Sequence, residues 1–135
     1  MLFHKLTIAA AALCALAAPA VAGVAPPVIQ ATASAPIAIS TATTTQIIAL
    51  STLKTYITGW EFISAGSGTV QLEYGTGTAC GTVAGTLTGA YPVSAGTGLS
   101  RGGIGPVIVV PAGNEVCVVT TSSATAQGSI AYAQY

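Results

Sequence analysis

The chain has 135 residues, 52% of them hydrophobic and only 4% charged, and its formal net charge is zero. Lys5, Lys54 and Arg101 are too few and too dispersed for a basic nucleic-acid face, which needs clustered Lys and Arg. So apolar a chain also lies outside the range of intrinsic disorder, which goes with low hydrophobicity and high net charge. One domain is the expectation at this length.

Residues 1–22 have the three parts of a secretory signal peptide. His4 and Lys5 form a basic start, Leu6–Ala18 is an apolar run too short to span a bilayer comfortably, and Ala20-Val21-Ala22 offers a small-residue cleavage site before Gly23. Leu13 before Cys14 is too large for a lipobox, so Cys14 is expected to leave with the leader. The mature chain then has no His, no Asp and no transmembrane span, and it keeps Cys80 and Cys117. An even pair in an exported chain reads as a disulfide. It would close a loop of about 37 residues, worth roughly 4 kcal/mol by chain entropy.

Residues 23–44 carry Pro26, Pro27 and Pro36 among small residues and read as a linker or arm, with a possible edge strand at Ile37–Ser40. The β domain is placed at 45–135. Its first three strands are expected at Gln46–Leu50, Thr55–Ser64 and Thr69–Tyr74, divided by Ser-Thr and Gly-Ser-Gly turn chemistry. Val70, Leu72 and Tyr74 alternate with Gln71 and Glu73, the period of a half-buried strand. The middle strand holds the only Trp, and even spacing puts Tyr56, Trp60 and Phe62 on one core-facing side.

Gly75–Gly81 reads as a loop, Thr86–Val93 as a strand, Ser94–Gly103 as a Gly-rich excursion with Arg101, and Gly105–Val110 as an apolar strand. Val110-Pro111-Ala112-Gly113 fits a type I turn, and Glu115–Thr121 and Ala126–Tyr135 close the sheet. The expected fold class is all-β: one antiparallel β-sandwich or jelly-roll-like domain of about 7–8 strands behind a signal helix and Pro-rich linker.

No motif carries catalysis. Gly75-x-Gly77 leads to Cys80 and Gly96-x-Gly98 leads to Arg101, so neither completes a phosphate or dinucleotide loop. A Ser-His-Asp or Cys-His system needs a His that the mature chain lacks. Glu61 and Glu73 are the available carboxylate pair and read more simply as solvent-facing strand residues. Two Cys without His do not complete a structural zinc tetrahedron. The expectation is no enzyme, no cofactor and no metal.

Tyr56-x-x-Gly59-Trp60, Gly68-Thr69-Val70, Leu87-Thr88-Gly89-Ala90, Pro111-Ala112-Gly113-Asn114 and Gly128-Ser129-Ile130-Ala131-Tyr132 run through 45–135. In these the body resembles small Thr/Gly/Ala-rich β-sandwich proteins of phage and prophage structural gene regions. The resemblance implies a non-enzymatic virion surface or accessory component, from which the secretory leader departs. The sequence is therefore read as an exported structural or surface-association protein of periplasm, cell surface or medium. The alternative is a virion decoration or appendage protein with a retained apolar arm. Five charges on the mature chain leave little to keep neighbours apart, so a homo-oligomer or larger assembly is expected. Arg101 is its candidate interface residue, with Glu61 or Glu115 of a neighbour as acceptor.

Overall fold

The computed structural model describes residues 28–135; the expected leader, with Cys14, and the first residues of the linker lie outside them. Ten strands run in chain order: β1 (Ala33–Ile39), β2 (Thr44–Ser51), β3 (Thr55–Ile63), β4 (Gly68–Thr76), β5 (Thr82–Thr86), β6 (Tyr91–Val93), β7 (Gly98–Gly102), β8 (Ile108–Val110), β9 (Asn114–Thr120) and β10 (Ala126–Gln134). They form two antiparallel sheets. Sheet I runs β1-β10-β3, and its fourth position is shared by β7 and β8, which pair with successive halves of β3. Sheet II runs β2-β9-β4, its fourth position shared by β5 and β6 against β4. Among the described residues no helix is long and apolar enough to cross a membrane.

The all-β sandwich-like expectation holds, with two corrections to its elements. Of the strand expected at Thr86–Val93 only its end, β6, is a strand; β5 lies ahead of it at Thr82–Thr86, and the Gly-rich excursion contains β7. Ten strands therefore stand where 7–8 were expected, because each fourth sheet position is built from two short pieces. The second correction concerns residues 23–44: Ala33–Ile39 already belongs to the sheet. Pro36 is accommodated because β1 is an edge strand, where a missing N–H costs no ladder bond.

The inner faces meet in one core. Ile37, Ile57, Trp60, Phe62 and Ile130 of sheet I pack against Val70, Leu72, Val116 and Val118 of sheet II, all nearly or fully buried. Burying each such side chain contributes about 1.5–3 kcal/mol relative to leaving it exposed. Trp60 is 5% exposed, a core residue and not a surface platform.

The aromatic row is also corrected. Gly59 pairs with Ala131 and Ile57 with Tyr132, so Thr58 has no partner on β10 and forms a bulge. Its hydroxyl donates to the Ala131 carbonyl at 3.2 Å. The extra residue shifts the parity of β3: Thr55 and Ile57 face inward before it, Trp60 and Phe62 after it. Tyr56 is thereby turned to the outer side, where its ring lies 6.0 Å from that of Tyr135 at 56°. Gly59, next to the bulge, lets β7 approach closely on the other side, since a Cβ there would stand 2.9 Å from the Arg101 carbonyl. Gly113, the fourth residue of the turn expected at Val110–Gly113, adopts φ 79°, the left-handed position that glycine favours.

Candidate association surface

Part of the outer face of sheet II, around Cys117, is covered by the chain itself. Cys117 on β9 lies in register with Gln46 on β2 and Glu73 on β4. Beyond β4 the chain turns through residues 77–81 and folds back as a strap, with Ala79 and Cys80 at φ 49° and 55°. Cys80 and Cys117 are joined, with Cα atoms 6.3 Å apart, as the sequence predicted. Glu115, two residues from Cys117 and hence on the same side of β9, is 2% exposed. One carboxylate oxygen accepts the Cys80 N–H and the other the Gln46 side-chain amide. The strap is held by a covalent bond and a charge-assisted hydrogen bond only a residue or two apart.

This placement overturns two expectations. Glu115 is enclosed and already partnered, so it is no acceptor for the Arg101 of a neighbour. Glu73 is 8% exposed rather than solvent-facing, and burial pushes its carboxyl above the ordinary value. It lies on the outer side of sheet II and Glu61 on the outer side of sheet I, so the structure does not bring the two carboxylates together. Sequence reasoning missed the roles of Glu115 and Gln46. The available signal was the Glu115-x-Cys117 spacing, which puts a carboxylate beside a cystine.

Ligand atoms of Cys80, Glu115 and Cys117 lie within 4.8 Å of one another. Zinc and similar ions take thiolates, and here each sulfur is bonded to the other. The trio as it stands is a structural clamp.

Val28 and Ile29 lie near Tyr56 and Tyr135 at one end of sheet I; over the rest of its outer face no described residue gives cover, and the side chains are mostly small. Cross-strand rows read Ser34–Ala131–Gly59–Gly102, Pro36–Ser129–Glu61–Ser100 and Ala38–Gln127–Ile63–Gly98. Glu61 is the only charged residue in these rows. Its carboxylate accepts from the Ser129 hydroxyl at 3.3 Å and stands between two shallow depressions of about 360 and 340 Å³. Gly59, Gly102 and Ala131 line the first; Gly98, Gln127 and Ile63, the last 60% exposed, line the second.

Arg101 sits at the rim. It pairs with Trp60 across β3–β7, and its guanidinium carbon lies 5.8 Å from the Trp60 ring centroid. The exposed cation caps the side of the tryptophan nearest the sheet edge, a cation–π contact worth about 0.5–1 kcal/mol at an exposed site. Chemically, this face offers flat van der Waals contact, exposed hydroxyls and a single carboxylate. The chain matches no protein-family model, no curated protein and no solved structure.

Proposed function

We propose that this is an exported, non-catalytic structural protein that works by surface association, through the outer face of sheet I. The observation that carries the reading is the asymmetry between the two outer faces. One is fastened under a strap by a cystine and a buried carboxylate; the other is poor in charge and is not covered by any of the described residues. Small side chains on a regular sheet let a second surface approach closely, and few charges need to be desolvated when it does. The cystine agrees with an oxidising compartment.

A second reading, a virion decoration or appendage protein, draws on the chain path. With the split fourth positions counted once, successive strands alternate between the sheets, in the orders 1-10-3-7 and 2-9-4-5, except at the β4–β5 hairpin, which stays within sheet II. That is the winding of a jelly roll, an architecture of viral capsid and lectin domains. Fold alone does not assign function, so this winding supports the virion reading by analogy.

Ile63→Glu tests the association reading. It adds a second carboxylate beside Glu61 on an exposed position and leaves the core untouched. Light scattering and co-fractionation with envelope or particle material should show association weakened and melting unchanged. Association equal to wild type would remove this face from the reading. N-terminal sequencing separates the two settings: Gly23 as the first residue supports export, Met1 the retained arm.

A further inference from the structure

An antiparallel sandwich leaves strand edges whose N–H and C=O groups can template another strand, and proteins block them with proline, bulges, short strands or charge. Among the described residues nearly every edge is blocked. β1 has Pro36 at its centre. The β2 pairing with β9 is broken by two register shifts, and that of β5 with β4 by one. β6 is three residues long with Pro92 in the middle, and β8 is three residues long between Pro106 and Pro111. β7 is the exception. Gly98-Leu99-Ser100-Arg101-Gly102 pairs with β3 in unbroken register, contains no proline, and its one charge is drawn over Trp60.

The direction of its free groups follows from the ladder. The Ser64 N–H donates to the Thr97 carbonyl at 2.9 Å. Alternating from that pair, Leu99 and Arg101 turn their backbone groups toward Phe62 and Trp60, while Gly98, Ser100 and Gly102 turn theirs to the open side. Those three residues are exposed.

We infer that β7 pairs antiparallel with β7 of a second copy of this chain about a two-fold axis at Ser100, joining two copies of sheet I into one continuous sheet. This contact uses the edge of sheet I and leaves its outer face free, so it goes beyond the association reading and is tested separately from it. The strand is self-complementary about Ser100. Pairing sets Ser100 against Ser100 and Gly98 against Gly102 of the partner copy, giving about six backbone hydrogen bonds with no large side chain in the outer rows. On the inner side, Leu99 of each copy meets Arg101 of the other, whose aliphatic stem can cover it while the guanidinium stays in water. Glu61 of each copy is separated from its counterpart by both β7 strands, so the two carboxylates do not oppose each other.

Ser100→Cys in the full exported chain is the test. Residues facing each other in a hydrogen-bonded antiparallel pair have Cα atoms about 5.5 Å apart, within disulfide range. Mild oxidation at low protein concentration should link most of the chain as a dimer on a non-reducing gel. Gly102→Cys, which faces Gly98 of the partner copy, should stay unlinked. Equal linking of both variants, or of neither, overturns the inference. Ser100→Pro gives an independent reading. It removes an outward N–H that the monomer does not use, so melting of the dilute protein should hold while light scattering shows monomer. If Ser100→Pro stays associated and Ile63→Glu does not, the face reading survives and the edge pairing falls. If wild type is monomeric at every concentration, the edge pairing falls outright, and co-fractionation of wild type against Ile63→Glu then decides the face reading.

Discussion

The two outer faces are built by the same alternation and the same small-residue vocabulary, yet they end in opposite states. On sheet II the polar and sulfur-bearing residues Gln46, Glu73, Glu115 and Cys117 lie under the strap or beside it, with Glu73, Glu115 and Cys117 nearly out of water. On sheet I the corresponding positions are Ser, Ala and Gly around a solvated Glu61. Polar groups can be buried where a partner is fixed for each of them, and the strap supplies partners to Glu115 through Cys80 and Gln46. A face without its own cover must stay inexpensive to wet and to dry, which glycine, alanine and serine achieve.

Breaking the strap should have the largest effect. Reducing the cystine, or replacing both Cys80 and Cys117 by Ser, should lower stability by roughly 4 kcal/mol from loop-closure entropy. Denaturant midpoints with and without reductant check this, and an unchanged midpoint would mean that the strap is held by Glu115 alone. Replacing the carboxylate comes next. Glu115→Ala leaves the Cys80 N–H and the Gln46 amide without their acceptor and should cost about 1–3 kcal/mol. Combined with reduction, it should do so with clear non-additivity, because both fastenings hold one strap.

The cystine was legible in the sequence because the chain expected after loss of the leader keeps two cysteines, which leave one pairing. The all-β class was legible from alternation such as Val70–Tyr74 and from the spacing of turn residues. The buried state of Glu73 and Glu115 was not, since alternation says which side of a sheet a residue faces and not whether a distant segment covers that side. Tyr56 was assigned to the wrong face for a local reason: an isolated Gly within a strand signals a bulge, and Gly59 stands immediately before Trp60. Residues 82–103 were read as fewer strands because Gly and Pro punctuate them so densely that periodicity is lost. The bare face became visible only with the strand order, which brings β1, β10, β3 and β7 side by side.

A smaller effect distinguishes the faces by acidity. Burial raises the carboxyl pKa of Glu73 above its ordinary value of 4.5, so the folded chain holds that proton more tightly than the unfolded chain. The folded state then binds more protons over the window from about 4.5 up to the raised value, and stability falls as pH climbs through it. Melting followed across that window should show the decline in wild type and a flatter profile in Glu73→Gln. A wild-type profile that rises instead would place Glu73 beside an unrecognised cation.

The smallest expected change in stability belongs to the bare face. Glu61→Lys replaces one exposed charge by another and should shift stability by no more than about 0.5 kcal/mol. Its readout is association, where reversing the only charge in the rows should change the salt dependence of any complex formed there. A loss of stability comparable to that of Glu115→Ala would mean that this face is less free than its exposure indicates.

The bulge at Thr58 gives β3 one place where a residue can be lost and neighbours where it cannot. Thr58 is the one residue without a partner on β10, so removing it would restore a regular pleat with Ile57, Trp60 and Phe62 still inward and Glu61 still outward. Removing a residue from the regular run between Trp60 and Ile63 would instead turn everything beyond it to the opposite face. In a library of single-residue deletions, loss of Thr58 should stand out as a survivor beside a gap at residues 60–63.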